Sequence, residues 1–338
     1  MRHNQIYFFL ILFCFSIFTS CKNDKSKKPL PGYTGNAGEI VVVAKADELR
    51  SSLILEALSN TFLRNIPGLP QPEPEFDVVR IPKKDFSRIF QLHRNILIFE
   101  IDKLNDNKIH YLQNQWAKGQ KIVEITASSV PQAVKLLEEN SENILNYFKF
   151  AEIERLIERN KKLGNKEVEN QLKKQFNISL TIQKDAYLAK QDSNFAWVRI
   201  ERVRKKGGYD HRISQGLILF EIPYRDTAQL NLQYLTHLKD SITKKQIPGP
   251  TEGSYMTTSY KLEKPFARKY QLKNKYVTEI RGLWRVEGNF MGGPFVHLAI
   301  VDEKNSRIVN IVGYVYAPQF NKRDYLREIE AMLYSFEL

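Results

Sequence analysis

The chain is long enough for two domains and is basic overall. It has 338 residues, of which 42% are hydrophobic and 26% are charged, and its 51 Lys and Arg residues exceed its 38 Asp and Glu residues, for a formal net charge of +13. This composition is typical of a globular protein and excludes a disordered chain. The only cysteines are Cys14 and Cys21, which excludes a disulfide framework and a cysteine-rich zinc site.

The first 20 residues predict a lipoprotein signal peptide. Arg2 precedes an apolar stretch at residues 6–18, which is shorter than the roughly 20 residues that cross a bilayer. The segment Phe18-Thr19-Ser20-Cys21 then resembles the lipobox of bacterial lipoproteins, in which Leu usually stands where Phe18 does. The resemblance implies cleavage before Cys21 and lipid on its sulfur and its new amino group. The alternatives are an uncleaved helix and a secreted soluble protein.

Residues 21–38 predict a flexible tether between the lipid and the folded protein, because they are rich in Lys, Asn, Pro and Gly. Its lysines are suited to anionic headgroups, or are simply solvated. Lys22 follows Cys21, where lipoproteins retained in an inner membrane usually carry Asp. We therefore expect a protein anchored in the cell envelope, on the periplasmic face of an outer membrane, with exposure at the cell surface as the alternative.

Residues 39–150 predict an N-terminal α+β unit. Apolar runs predict strands at residues 39–44, 76–81, 95–101 and 121–126. Between the first two, Asp47 is predicted to cap a helix that buries Ile54, Leu58 and Phe62 and ends before Pro67. A long helical pattern begins after Pro131.

Residues 177–338 predict a second α+β unit, opened by a hairpin at 178–182 and 195–203. A strand at 216–222, a helix at 230–245, strands at 276–286, 295–302 and 307–316, and a closing helix follow. A Pro-Gly breaker follows the helix in each half, at Pro67-Gly68 and Pro248-Gly249. This order favours largely antiparallel sheets with helices packed on them and a β-α-β-β-β-α unit used twice. The alternative is two unrelated α+β units.

Residues 151–176 lie between the units and are dense in charges of both signs. Such a pattern is typical of a solvated helical connector, and a partner-binding helix is the alternative. Gly164-Asn165 is predicted to divide it into two helices. The connector marks the predicted domain boundary.

No motif in the sequence indicates an enzyme class. The five histidines after residue 20 have no second His or Cys at metal-ligand spacing, and G-x-S-x-G and phosphate-binding loops are absent. We therefore expect no metal and no cofactor. A hydrolase of an envelope polymer remains an alternative, because its acids can be distant in sequence. Acids on alternating strands are expected to face solvent; the available groups are Glu279, Glu287, Asp302, His93 and His297.

The most unusual segment is the glycine-rich stretch at residues 279–295. Its glycines are expected to supply backbone freedom, and its aromatic and Met side chains are typical of recognition surfaces. A second such segment, at residues 248–258, is expected to lie beside it and to form a groove with it. The alternative is that the first segment caps the core with Trp284 inward. The candidate binding residues are Arg281, Trp284, Glu287, Phe290, Met291, Gly292, Gly293, Gly253, Tyr255 and Met256.

Basic residues gather around Gly207-Gly208, which predicts a hairpin with a charged tip. This tip is suited to anionic lipid, lipopolysaccharide or cell-wall carboxylates, or it is simply solvated. Nucleic acid is not expected as a partner, because no base-stacking motif is present. The basic residues are Arg199, Arg202, Arg204, Lys205, Lys206 and Arg212.

Several longer strings resemble an uncharacterised lipoprotein family of Bacteroidetes, a full-length domain of unknown function. The resemblance implies a lipid-anchored envelope protein and supplies no activity, cofactor or catalytic residue. The strings are Ile66-Pro67-Gly68-Leu69-Pro70-Gln71-Pro72-Glu73-Pro74, Phe86-Ser87-Arg88-Ile89-Phe90, His93-Arg94-Asn95-Ile96-Leu97-Ile98, residues 249–258, Arg281-Gly282-Leu283-Trp284, Met291-Gly292-Gly293-Pro294-Phe295 and Tyr314-Val315-Tyr316-Ala317-Pro318.

Taken together, the sequence predicts a membrane-anchored envelope lipoprotein that acts as a non-enzymatic binding or assembly module. Its expected partners are the membrane, through the N-terminal lipid, and an envelope protein, anionic lipid or glycan. The alternatives are the hydrolase described above and a structural spacer.

Overall fold

The structure, a computed structural model, describes residues 29–338. The predicted signal peptide, Cys21 and the first part of the predicted tether lie outside the described residues. The described chain forms a five-stranded and an eight-stranded sheet with helices packed on both. Most strand pairs are antiparallel, so the predicted α+β class is confirmed.

The five-stranded sheet has the order β2-β1-β3-β5-β4. Its central pairs, β1 with β2, β1 with β3, and β3 with β5, are parallel, and β4 pairs with β5 in the antiparallel direction. The strands are β1 (Glu39–Ala44), β2 (Asp77–Pro82), β3 (Asn95–Ile101), β4 (Lys108–Gln113) and β5 (Lys121–Ala127).

Helices cover one face of this sheet. They are α1 (Ser52–Phe62), α3 (Val130–Glu139) and the first half of α4 (Ser141–Leu163); a short helix, α2 (Arg88–Gln91), precedes β3. Phe62 of α1 and Phe148 of α4 meet Phe76, with ring centroids 6.2 to 6.4 Å apart. Asp47 makes no capping bond, and the residue at the N-cap of α1 is Ser51.

The eight-stranded sheet is antiparallel throughout, with the order β10-β11-β12-β13-β8-β7-β6. Strand β9 pairs with the last five residues of β11 and so continues the edge that β10 begins. The strands are β6 (Tyr187–Asp192), β7 (Phe195–Lys206), β8 (Tyr209–Pro223), β9 (Tyr255–Ser259), β10 (Phe266–Leu272), β11 (Lys275–Glu287), β12 (Gly292–Asp302) and β13 (Arg307–Tyr316).

The two faces of this sheet are covered differently. Helices α5 (Lys166–Phe176) and α7 (Arg323–Tyr334) pack on one face, in a core that includes Leu172 and Ile329. Helix α6 (Leu232–Gln246) packs on the other face, against a second core that includes Phe220 and Phe295. Beyond the end of α6, no residue of the described chain covers part of this second face.

The two units do not repeat one topology, so the predicted duplication is wrong. In the first, α1 connects β1 to its parallel neighbour β2. In the second, α6 connects β8 to β9, which lie in different parts of the sheet. The two units were predicted to share an order of elements, but that order does not determine which strands pair with each other. An apolar run does not specify the direction of the neighbouring strand.

Three predictions about local structure can be compared with the fold. The division at Gly164-Asn165 is confirmed: α4 ends at Leu163, and the Asn165 side chain accepts from the Val168 N–H to cap α5. The hairpin at 178–182 is wrong, because β6 at 187–192 is the strand that pairs with β7. The apolar side chains of Ile178, Leu180 and Ile182 are buried, but residues 178–182 form no strand. The predicted boundary at residues 150 and 151 falls inside α4.

Candidate functional site

The uncovered part of the second face of the eight-stranded sheet forms a concave, largely apolar groove of about 360 Å³. We call it the aromatic groove. Sheet residues form its floor, and the segment after α6 forms one wall. It is lined by Trp197, Arg199, Glu201, Arg212, Ser214, Ile247, Pro248, Gly249, Pro250, Met256, Trp284, Val286, Met291, Tyr314 and Tyr316.

Hydrogen bonds and ring contacts fix the floor. The Trp197 indole N–H donates to the Tyr314 hydroxyl oxygen at 2.9 Å, and the Trp284 indole N–H donates to the Val315 carbonyl at 3.1 Å. Trp284 and Tyr314 pack edge to face, with ring centroids 5.5 Å apart. Because the polar atom of each ring has a partner, the rings present fixed apolar surface to the groove.

Glycines on neighbouring strands make room for these rings. Gly293 lies opposite Trp284, and Gly216 lies opposite Tyr314. A Cβ atom on Gly216 would stand 2.6 Å from the Tyr314 hydroxyl oxygen, and one on Gly293 would stand 2.0 Å from the Val315 carbonyl oxygen. Contacts this short exclude a side chain at either position.

The wall of the groove is the second predicted segment. Gly249 N–H donates to the Ser254 carbonyl at 2.8 Å, and Gly253 adopts a positive φ of 73°, so residues 249–254 form a tight loop. The chain then enters β9, where Met256 lies opposite Val286 and Tyr255 opposite Glu287. The two glycine-rich segments therefore lie side by side, as the sequence predicts.

One end of the groove carries charge. The Arg199 guanidinium lies 4.8 Å from the centre of the Trp197 ring and is paired with Glu201, whose carboxylate also accepts from the Ser214 hydroxyl at 2.8 Å. Arg212 is exposed and makes no ion pair within residues 29–338. Two arginines against one glutamate leave this end positive.

Tyr314 is an ionisable group on the floor of the groove. Burial raises the pKa of Tyr314 to about 12, against the opposing effect of its hydrogen bond from Trp197. The hydroxyl therefore stays protonated at neutral pH and acts as a fixed hydrogen-bonding group. It is not set to exchange protons there.

The turn between β11 and β12 borders the groove. Phe290 at its tip is fully exposed, and Met291 lines the cavity. The Asn289 side-chain amide donates to the Thr251 hydroxyl at 3.0 Å, which joins this turn to the loop of the wall. Gly288 has a φ of 83°, so the expected backbone freedom is used at this glycine.

Three of the predicted binding residues lie elsewhere than expected. Trp284 lies on β11 and is only 4% exposed, so its side chain faces inward and forms part of the groove floor. Gly292 and Gly293 are strand residues of β12 rather than loop residues. They serve close packing.

Arg281 is the clearest correction, because it lies on the opposite face of the sheet. Its guanidinium donates to Glu279 at 2.6 Å and pairs with Glu330 of α7 at 2.6 Å. Glu279 was expected to face solvent, yet it is 5% exposed and accepts from the Tyr334 hydroxyl at 2.8 Å. Although burial opposes it, the charge of Arg281 lowers the pKa of Glu279. The pair is a structural brace under α7.

Asp302 is also buried, which corrects the expectation that acids on these strands face solvent, and His297 is buried as well. Asp302 is 2% exposed and accepts from Arg307 at 2.9 Å. His297 on β12 lies near Lys239 and Asp240 of α6 and is not among the residues that line the groove. His93, in the other unit, lies 3.5 Å from Glu39. Within residues 29–338 no three or more His, Cys, Asp or Glu side chains form a metal-binding cluster.

The basic hairpin exists as predicted, with Gly207 and Gly208 both at positive φ in its turn. Much of its charge is engaged within the protein. Arg202 pairs with Asp185 at 2.6 Å and with Glu328 at 2.8 Å, and the Arg204 guanidinium donates to the Tyr325 hydroxyl at 2.7 Å. The hairpin is thus held against α7.

Trp197, Tyr314 and Tyr316 are groove residues that sequence reasoning did not identify as binding residues. The available signal was their spacing, because residues two apart on a strand share a face. Trp197 with Arg199, and Tyr314 with Tyr316, follow this spacing. Spacing alone does not predict that β7, β13 and β11 contribute to the same groove.

Comparison with family models covers most of the described chain. The model of a domain of unknown function, DUF4837, matches residues 165–335. The chain belongs to the DUF4837 family. A second model, the domain of unknown function DUF8532, matches residues 34–161. The DUF4837 match spans the eight-stranded sheet and therefore the whole aromatic groove.

No curated protein matches this DUF4837 member. In the part of the chain that the structure describes, no helix combines the length and the apolar character needed to span a bilayer.

Proposed function

We propose that this protein is an envelope lipoprotein, anchored through Cys21, whose aromatic groove binds a segment of another envelope protein. The lipobox-like segment at residues 18–21 supports the anchor. The observation that carries the binding function is the groove itself, an apolar floor of fixed aromatic rings open to solvent at one sheet face.

The lining of the groove fits a protein segment. Trp, Tyr and Arg are the residues that most often dominate the energy of protein interfaces, and Met adapts its shape to a partner. All four types line this groove, and the exposed Phe290 extends the apolar surface beyond it. A cavity of about 360 Å³ is near the lower end of ligand sites, which suits one or two anchoring side chains.

Charge defines the segment further. Arg212 has no carboxylate partner in the described chain, whereas Glu201 is already paired with Arg199. A partner that places Asp or Glu beside its apolar anchor completes this pairing. The groove therefore fits a segment with an aromatic or aliphatic anchor and an adjacent acidic residue.

A hydrolase would require a second acid or a histidine beside the first. Glu201 is the one carboxylate among the described groove residues, and it forms an ion pair. The geometry therefore favours binding, and we make no catalytic proposal for this site.

Selection from a random displayed-peptide library tests the function. We expect enriched peptides to share an apolar anchor next to Asp or Glu. Tyr316→Ala and Met291→Ala should each weaken the affinity of a selected peptide about tenfold, because each removes lining area that contributes about 1.4 kcal/mol. Fluorescence anisotropy of labelled peptide measures this.

Tyr276→Ala is the matched control, because Tyr276 is a half-exposed tyrosine of the same sheet outside the groove. Its affinity should equal that of the wild type. Equal peptide affinities for the wild type and all the variants would refute a protein segment as the ligand. Saturable binding of an oligosaccharide or fatty acid in the groove, with no groove variant weakening peptide binding, would also refute it.

A further inference from the structure

A second cavity, of about 620 Å³, lies in the other unit between the exposed side of α4 and the turn before β5. We call it the basic cavity. Five of its lining side chains are cationic and two are anionic. The cations are Lys118, Lys121, Arg155, Arg159 and Lys162, and the anions are Glu154 and Glu158.

The two acids do not neutralise the cavity. Glu154 lies 3.7 Å from Lys121, and Glu158 lies 3.1 Å from Lys161 at the rim. Lys118 and Lys162 are exposed and make no ion pair within the described chain. These two lysines leave the cavity with unbalanced positive charge.

The described chain enters the fold at the rim of this cavity. Lys118 N–H donates to the Pro31 carbonyl at 2.8 Å, which holds the entering segment against the turn. The Tyr33 ring lies 4.7 Å from the guanidinium of Arg94 and 5.1 Å from that of Arg155. The entry point is therefore fixed relative to the cavity, and Leu30 and Gly32 form part of its lining.

The position of Cys21 limits how far this face can lie from a membrane. Eight residues lie between Cys21 and Leu30, and the nine Cα–Cα steps that join them span at most about 30 Å. An anchor at Cys21 therefore keeps the basic cavity close to the headgroups. Leu163 is 64% exposed and Leu30 41% exposed, so the rim also presents apolar side chains suited to the interface.

We propose that the basic cavity binds the phosphate of anionic lipid headgroups and seats the N-terminal unit on the membrane that holds the anchor. This inference rests on the anchor in the proposed function and is independent of the aromatic groove. Lysine and arginine donors match phosphate oxygens, and each lysine near an anionic surface contributes about 1 kcal/mol of attraction.

Sedimentation with vesicles tests the proposal. The sample is the chain from residue 21 onward with Cys21→Ser, which carries no lipid and keeps every described helix and strand. It should bind vesicles of three parts phosphatidylcholine to one part phosphatidylglycerol, and it should not bind phosphatidylcholine alone. The double variant Lys118→Glu with Lys162→Glu should weaken binding at least about thirtyfold, the equivalent of about 1 kcal/mol for each charge removed.

The matched control is Lys84→Glu with Lys269→Glu, which makes the same change of net charge at exposed lysines outside the cavity. Retained vesicle binding in this control supports the cavity as the site. An equal loss in both double variants would overturn it in favour of net charge alone. Binding of inorganic phosphate without binding of vesicles would overturn it in favour of a soluble anion.

The anchor is tested independently of vesicle binding, because lipid on Cys21 is detected by metabolic labelling of the full chain. A failed vesicle test therefore does not count against the anchor. Thermal unfolding of both double variants should match that of the wild type, since all four lysines are exposed.

Discussion

At the residue scale, the burial of His297 under α6 makes the free energy of unfolding depend on pH. His297 is fully buried on β12, and its Nε2–H donates to the Asn310 side-chain oxygen at 2.9 Å. Lys239 and Asp240 face it from α6, and the ring of Phe220 faces it from β8. Burial lowers the pKa of His297 from 6.5 to about 4, so the ring stays neutral in the folded protein across this range.

We predict that the free energy of unfolding falls by about 3 kcal/mol as the pH drops from about 6.5 to about 4. Below pH 6.5 the unfolded chain binds a proton at His297, and the folded chain does not do so until about pH 4. Urea unfolding at a series of pH values measures this dependence. His297→Gln keeps a donor for Asn310 and should remove this part of the pH dependence; an unchanged pH dependence would contradict the assignment.

The burial of two strand acids was not predicted from the sequence. Glu279 and Asp302 lie on predicted strands, where acids were expected to face solvent, yet both are buried. Glu279 is bound by Arg281 on its own strand and by Tyr334 of α7, and Asp302 is bound by Arg307 at the start of β13. Tyr334 lies 55 residues from Glu279 and on another element, so no local pattern identifies it as a partner.

At the element scale, a carboxylate from the N-terminal unit caps α7 of the C-terminal unit. Glu73 is 2% exposed and accepts from Lys322 N–H at 2.7 Å and from Arg323 N–H at 2.8 Å. These groups belong to the first turn of the helix, where N–H donors lack partners within the helix and the dipole favours an anion. The Pro-rich segment that carries Glu73 therefore has a role beyond ending α1.

Glu73→Ala should lower the free energy of unfolding by about 2 kcal/mol, because it leaves buried N–H donors without an acceptor. Chemical denaturation measures the loss. Glu142→Ala provides a matched control, since Glu142 forms an exposed ion pair with Arg64 that should contribute less than about 1 kcal/mol. Equal losses in the two variants would exclude a capping role for Glu73.

Strand positions were largely predictable, and strand direction was not. Strands β3 and β5 were placed within one residue because they are dense apolar runs. Runs of this kind that are buried on both faces are typical of parallel sheets, and β1 has apolar contacts on both of its faces. The sequence therefore contained a signal for a parallel sheet in the N-terminal unit. Strands β4, β9 and β10 are edge strands with mixed polarity, which is why no apolar run revealed them.

At the scale of the whole molecule, the two units are joined by packing as well as by the chain. The Arg327 guanidinium of α7 lies 4.6 Å from the Phe76 ring and donates to the Glu75 carbonyl. Arg323 pairs with Asp77 at 2.7 Å. Because α7 also packs on the eight-stranded sheet, we expect the aromatic groove and the basic cavity to keep a fixed separation.

The anchor itself is a prediction about the whole molecule. Cys21→Ala should abolish incorporation of labelled fatty acid, because it removes the sulfur that is proposed to carry the lipid. Metabolic labelling of the full chain measures this outcome. Labelled lipid on the Cys21→Ala variant would contradict the assignment.

The claim that the aromatic groove binds an acidic, apolar segment is tested most directly by a double-mutant cycle between Arg212 and the acid of a selected peptide. Its four affinities combine wild type or Arg212→Ala with peptides that carry Glu or Gln at the acidic position. We predict a coupling energy of about 1 kcal/mol or more for Arg212 and none for the exposed control Arg225→Ala. A coupling energy of zero at Arg212 would contradict the account.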